Sequence, residues 1–375
     1  MDEQGVDGTR TGVAVRAGVD AAVVALARGV EDAMIATDRV LGEFLGDRCA
    51  AAAAVSPAYG RLWDDLAAQV GGKRVRPRLT LAAYLGTGGT DPVGAAPVAA
   101  AQELLHTAML AHDDLLDHDE VRRGRPNLAG LARTRTVRGG VTGRALEDQV
   151  LAAGLLGGDL ALASAFALAS TAPVDPALRL AVVDLLVAAV GTTVAGELLD
   201  MLAELSPPQS VDALLIAELK TAGYSCRIPL ASGAVLAGAE PPVVAALERY
   251  GTALGIAFQL ADDELGVFGD PAMTGKSVLS DLREGKRTEL LRLAYAGADA
   301  VGRAVLDRNV GDPGLDEAGA DAVRAVMVDT GALARVQAMA ETSAERARDT
   351  ARDAVPGPLS EYLVGVVDDL AGRGH

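Results

Sequence analysis

Apolar residues recur at three- and four-residue spacing along nearly the whole chain, and no convincing β-branched alternating strand interrupts them. Residues 20–45 read as a first amphipathic helix, with the alanine-rich stretch 49–57 as its exit. Residues 57–70 make a second, ended by Gly71 and Gly72. Residues 76–86 make a third, where Pro77 is tolerable because the first turn of a helix has no partner for that N–H. A long helix starts near Asp91–Pro92 and runs to about Asp117. Further long apolar helices cover 146–170, 176–202 and 241–266, separated by proline-bearing turns. Shorter helices follow residue 290, between "GDPG" and "VPGP" turns. With no linker and no internal repeat, the expected fold is all-α: one helical domain over 19–375 behind a mobile tail at 1–18.

Half of the residues are hydrophobic but only 3% are aromatic, so Ala, Leu and Val must build the core, a palette suited to close helix–helix packing. The net charge of −17 argues against nucleic acid or an anionic membrane as a partner, and obliges any anionic substrate to find a local basic patch. Cys49 and Cys226 are too few for a disulfide framework and lack metal-ligand spacing, which fits a reducing, cytoplasmic setting. The first residues carry acids where a signal peptide carries bases. The apolar runs are read as too short, or interrupted by Asp184, to span a membrane, so stable insertion is not expected.

Charge is distributed unevenly. In "LLHTAMLAHDDLLDHDEVRRGRPN", residues 104–127, Asp113, Asp114, Asp117, Asp119 and Glu120 crowd together, and Arg122, Arg123 and Arg125 follow at once. Asp113 and Asp117 stand four apart and share a helix face. Unpaired, such carboxylates repel; a hard divalent cation such as Mg²⁺ relieves the repulsion and shares its shell with phosphates. Acidic pairs are also common on solvated faces, and "LWDDLA" at Asp64–Asp65 and "VVDDLAG" at Asp368–Asp369 read that way. A second cluster tips the balance. "AFQLADDELGVFGD" puts Asp262 and Asp263 at the end of another apolar helix, followed by Lys276, Lys286 and Arg287, and a further basic island, "GGKRVRPRL", lies early in the chain. Two helices each ending in paired aspartates imply one cavity with carboxylates on opposing walls.

These segments, taken in order with "ELKTAGYS" and "TGKSVLSDLREGKRT", resemble the trans-prenyl diphosphate synthases, the isoprenyl chain-elongation enzymes, with an actinobacterial geranylgeranyl flavour; the likeness runs from about residue 20 to near the C-terminus. It implies an isoprenoid synthase type I helical bundle around a central substrate cavity. It also implies a homodimer and two substrates, isopentenyl diphosphate and an allylic diphosphate. By the same resemblance, Lys73, Arg76, His106 and Arg123 bind the diphosphate of isopentenyl diphosphate. Arg122, Lys220, Thr221, Gln259 and Lys276 hold the allylic diphosphate, and Lys286 is a further substrate-binding cation. Asp113, Asp117 and Asp262 are the implied Mg²⁺ ligands, supported by Asp114 and Asp263. Asp113, Asp114, Asp117, Arg122, Lys220 and Asp262 form the implied catalytic set.

The chain departs from the family pattern at Gly266, where the second aspartate motif "DDELG" lacks its last carboxylate, and at Glu197, where many relatives carry Gln. The alternatives are a class I terpene cyclase, whose second metal motif is absent here, and a non-catalytic partner subunit, in which damaged motifs are expected. For product length the positions are Ala108 and Met109, before Asp113 on the same helix, where bulky aromatics close the pocket in short-chain members. Neither is aromatic, so the expected product has at least twenty carbons, geranylgeranyl diphosphate first and a longer polyprenyl diphosphate as the alternative. Arg373 is a candidate lid contact.

Overall fold

The computed structural model describes residues 7–269 and 278–371. Four helices open the chain: α1 (Asp7–Val55), α2 (Pro57–Gln69), α3 (Val75–Gly86) and α4 (Pro92–Leu116). A hairpin of two-residue strands, β1 (Val121–Arg122) and β2 (Arg125–Pro126), leads into α5 (Leu128–Arg138), α6 (Arg144–Ser170) and α7 (Pro176–Ala203). Next come α8 (Ala213–Ala217), a π-helical segment (Glu218–Arg227), α9 (Ile228–Leu236) and α10 (Pro241–Phe268). The last part holds α11 (Ser280–Glu284), α12 (Glu289–Gly297), α13 (Ala300–Asn309), α14 (Glu317–Asp329), α15 (Ala332–Ala354) and α16 (Pro358–Ala371). The all-α expectation holds, and apart from α1, expected over 20–45 and found over Asp7–Val55, the helices proposed from periodicity fall within a few residues of those observed.

The differences are local. The alanine-rich stretch 49–55 continues α1 instead of leaving it, since alanine has the highest helix propensity; the helix stops at Ser56, whose Oγ caps α2 by accepting from Tyr59 N at 3.1 Å. Residues 7–18, read as tail, fall within α1, and 1–6 lie outside the described residues. The hairpin was not foreseen. Contrary to the reading of their apolar runs as too short or interrupted, α6 and α7, at 27 and 28 residues, have the length and apolar composition to cross a membrane. In the fold α6 packs against α4, and α7 against α6 and the π-helical segment, with outward faces of leucine and valine.

The buried core falls into separate apolar clusters, of which one joins α1, α3, α9, α10, α15 and α16. Leu79, Leu81, Leu230, Leu247 and Tyr250 fill its centre, and the Tyr250 hydroxyl donates to Leu363 O at 2.8 Å, tying α10 to α16. Small residues let helices approach: a Cβ at Gly196 of α7 would come within 2.7 Å of Lys220 Cα, so the π-helical segment lies directly on α7.

Candidate active site

Four elements deliver charged side chains to one cavity of about 1160 Å³: the α2–α3 loop, the end of α4 with the hairpin, the π-helical segment against α7, and the end of α10 with the turn after α11. The α4 helix ends at Asp117, and His118 takes a left-handed φ of 58°, with Asp119 N donating back to Asp114 O at 2.7 Å. The chain then reverses through Arg123 (φ 55°) and Gly124 (φ 70°), the two left-handed residues that a tight hairpin of this type needs. This turn sends adjacent arginines in different directions. Arg122 pairs with Asp113 at 2.9 Å and with Asp114, whereas Arg123 reaches Gly71 O and lies over Gly72. Arg125 faces a second, smaller cavity beside the hairpin.

Lys220 is the cationic centre of the acidic wall. Its Nζ lies 3.0 Å from Asp113, 3.0 Å from Glu197 and 2.7 Å from Asp200. Burial favours its neutral form, but the three carboxylates outweigh that and hold it firmly protonated. Burial would likewise raise the Asp113 carboxyl; Lys220 and Arg122 outweigh it, so Asp113 sits below the ordinary range. Asp117 and Glu197 remain raised by burial, and Asp114 is pushed up to about 6 by the same cause despite Arg122. Opposite Asp117, at 3.5 Å, is Lys286. At the end of α10, Asp263 accepts from Gln259 at 2.8 Å, and burial pushes it up to about 8.

The other patch is assembled around Tyr224. The Arg76 guanidinium lies over its ring at 4.8 Å and donates to Ser225 Oγ at 2.6 Å, leaving the buried Nε without a partner. The Tyr224 hydroxyl is 3.4 Å from His106 Nδ1. Burial first, then Arg76, Arg123 and Arg122, drives the His106 pKa well below its ordinary value, so this ring is a neutral hydrogen-bonding group. Lys73 lines the same region. Glu103, only 2% exposed, faces these cations; burial raises it and Arg74, Arg76 and Arg123 pull it back.

The cavity lining thus includes Lys73, Arg76, His106, Asp113, Arg122, Arg123, Lys220, Thr221, Gln259, Asp262 and Lys286. Lys276 and Arg373 lie outside the described residues. Two corrections follow. Asp65 is not a solvated position: it is ion-paired with Arg135 between α2 and α5, away from the cavity. Ala108 is fully buried among Leu104, Leu105 and Ala161, and of the proposed chain-length pair only Met109 lines the cavity. Among the described residues, the carboxylates whose oxygens come within 4.8 Å of one another are Asp113, Asp117 and Glu197; Asp262 lines the cavity outside that group. Glu197 was visible in the sequence only as a departure from a pattern, and Glu103 and Tyr224 gave no chemical signal at all.

A polyprenyl synthetase model matches residues 64–327. The chain belongs to the polyprenyl synthetase family. Its relatives include a geranylfarnesyl diphosphate synthase of Aeropyrum pernix, 37% identical over 314 residues, covering 81% of this chain and 91% of that one. A (2E,6E)-farnesyl diphosphate synthase of Mycobacterium bovis is 37% identical over 259 residues, covering 68% of this chain and 66% of the relative. Among solved structures, a geranylgeranyl pyrophosphate synthase from Corynebacterium glutamicum, complexed with isoprenyl diphosphate and magnesium, superposes with a TM-score of 0.84 at 28% identity, covering 91% of this chain and 98% of that one. This synthetase is therefore a trans-prenyltransferase with the all-α isoprenoid synthase fold. Its relatives differ in the product their names state, so membership alone leaves chain length open.

Proposed function

We propose that this synthetase condenses isopentenyl diphosphate with an allylic diphosphate, with Mg²⁺, to give geranylgeranyl diphosphate. The observation that supports the reading is one cavity lined by two sets of cations, Arg76–Arg123–Lys73 and Arg122–Lys220–Lys286, together with the apolar Met109, Leu162, Val190 and Val194. Two diphosphates need two such patches; a cyclase acting on one diphosphate does not. The Asp113–Asp117–Glu197 oxygens form a hard donor set that fits Mg²⁺, which when bound would supply charge to stabilise a departing diphosphate.

This chain's own residues do the rest. Arg122 and Lys220 stabilise the leaving diphosphate as the allylic C–O bond breaks. The Arg76 patch holds isopentenyl diphosphate so that its double bond attacks the allylic carbon. One C–C bond forms and one proton is lost. The apolar wall keeps water from the cationic carbon. Incubation with both diphosphates and Mg²⁺, followed by chromatography, should show an elongated linear diphosphate. A released hydrocarbon would favour the cyclase, and absence of turnover would sink the proposal.

The two patches are separable. Arg76→Ala should raise the KM for isopentenyl diphosphate about tenfold or more, the scale of one charge-assisted contact, and change the allylic KM much less. Equal effects on both constants in steady-state kinetics would contradict the assignment.

Product length is read on Met109 and not on Ala108. Met109→Phe narrows the cavity one turn below Asp113 and should move the main product toward fifteen carbons. Ala108→Phe should mainly overpack the α4–α6 core, costing about 1–3 kcal/mol. Chromatography with thermal denaturation separates the two; unchanged product in an active Met109→Phe enzyme would place the limit deeper, and a longer polyprenyl product in the unaltered protein would favour that alternative.

A homodimer is proposed from the outward apolar faces of α6 and α7. Leu151, Leu156, Leu180, Val187 and Leu202 are each 50–60% exposed, and a second copy is the partner such long helices suit. Sedimentation should give twice the 38.1 kDa chain mass, and Leu180→Lys should shift it toward monomer. A monomer throughout would refute this. A cytoplasmic setting is proposed with it, on two cysteines that remain unbridged.

A further inference from the structure

Arg287 stands between Lys286, which lines the cavity, and Thr288, which caps α12 by accepting from Leu291 N at 3.2 Å. The terminal nitrogens of its guanidinium go to backbone. One donates to Gly285 O at 2.7 Å, within its own turn, and the other to Glu204 O at 3.3 Å, 83 residues away in sequence. Glu204 directly follows α7, so its carbonyl belongs to a helix end, where such groups lack an intrahelical partner. Among the described residues no carboxylate pairs with Arg287, although the chain has 51 acidic side chains to 34 lysines and arginines. Its Nε is buried without a partner. Two carbonyls therefore place this side chain, an arrangement that suits a planar fork and not a point charge.

The turn that carries Arg287 has a second set of anchors. Gly285 takes φ 68°, and a Cβ there would come within 3.2 Å of Gly311 Cα. Gly311 N donates to Leu282 O at 2.8 Å, and Arg283 donates to Leu315 O at 3.0 and 2.7 Å. Those contacts fix the turn to the loop between α13 and α14. Arg287 joins it to α7. There, one turn before Glu204, Asp200 holds Lys220 at 2.7 Å, while Lys286 faces Asp117 at 3.5 Å. The Arg287 bridge thus connects the segment bearing Lys286 to the helix that holds Lys220.

We propose that Arg287 is a positioning residue: by holding the turn after α11 to the end of α7, it fixes the spacing of Lys286 and Lys220 around one diphosphate. The inference rests on the function proposed above. Arg287 acts through Lys286 and not through its own charge, so a cation without the fork cannot replace it.

Calorimetric titration with inorganic pyrophosphate in excess Mg²⁺ reads this without turnover. Arg287→Met should weaken pyrophosphate binding about tenfold, and Arg287→Lys should recover little of that loss. In a Lys286→Met background, Arg287→Met should weaken binding no further, because the group it positions is already gone. The KM for isopentenyl diphosphate should stay within about twofold in Arg287→Met, with little change in Tm. Binding by Arg287→Met within about twofold of the unaltered protein, full recovery by Arg287→Lys, or losses that add in the double variant would each overturn the inference. So would a fall in Tm with both substrates' KM values raised alike, the mark of a merely structural arginine. A wild-type protein that binds Mg²⁺ and pyrophosphate but elongates no prenyl diphosphate would overturn the functional reading alone, because the binding cycle still reports on Arg287.

Discussion

Asp113→Ala is expected to lower turnover about 10²–10³-fold, the scale of removing one preorganised electrostatic group. Asp113 is the residue on which the acidic wall converges: it contacts Arg122 at 2.9 Å and Lys220 at 3.0 Å, and shares the cation-sized group with Asp117 and Glu197. Its loss removes one carboxylate of the group proposed to hold Mg²⁺ and releases two cations from their set positions at once. The helical fold should persist, because α4 is held by a fully buried apolar face distant from this end. Circular dichroism together with steady-state kinetics tests the point. Asp369→Ala, on the far, exposed side of α16, is the control and should retain full activity. Turnover near normal in Asp113→Ala, or in excess chelator, would be incompatible with the mechanism.

Lys220→Met should be nearly as severe, lowering turnover about 10²-fold with a raised KM for the allylic diphosphate. The substitution keeps length and removes the charge that three carboxylates share. Its signature is also a pH shift whose direction follows from the site. Burial already raises the Glu197 carboxyl, and Lys220 is the first of the groups opposing that. Asp113, which burial would raise, is held low by Lys220 and Arg122. Without Lys220 both carboxyls move up, so protonation sets in at higher pH and the acid limb of the pH–rate profile moves upward. An acid limb unchanged in position would show that Lys220 does not govern these carboxylates.

Much of this molecule was legible in its sequence because its helices are long and their punctuation is strong. Helix α4 could be placed from Asp91–Pro92 to Asp117, since the cap and the proline mark the start and the aspartates the end. For α10 the prolines at 241–242 mark the start, but the helix runs on past Asp262–Asp263 to Phe268. What was missed depends on tertiary contact. A π-helical segment has no hydrophobic period of its own, so "ELKTAGYSCR" read only as helix. The hairpin is two residues per strand, too short for alternation to register. Ala108 and Met109 are adjacent in sequence but point to different sides of α4, and only the packing of α6 decides which side is hollow. Glu197 entered the acidic group because Gly196 lets α7 lie against Lys220, a contact no local pattern encodes.

The π-helical segment has a consequence for the geometry of chemistry. Lys220, near its start, belongs to one of the proposed diphosphate patches, and Tyr224 and Ser225, near its end, brace Arg76 in the other. On that proposal, the winding of those few residues is a gauge that sets the angle between the two reactants. Each residue of an α-helix turns about 100°. Gain or loss of one residue within Glu218–Arg227 would leave both patches chemically intact, yet swing one substrate out of the line of attack on the other.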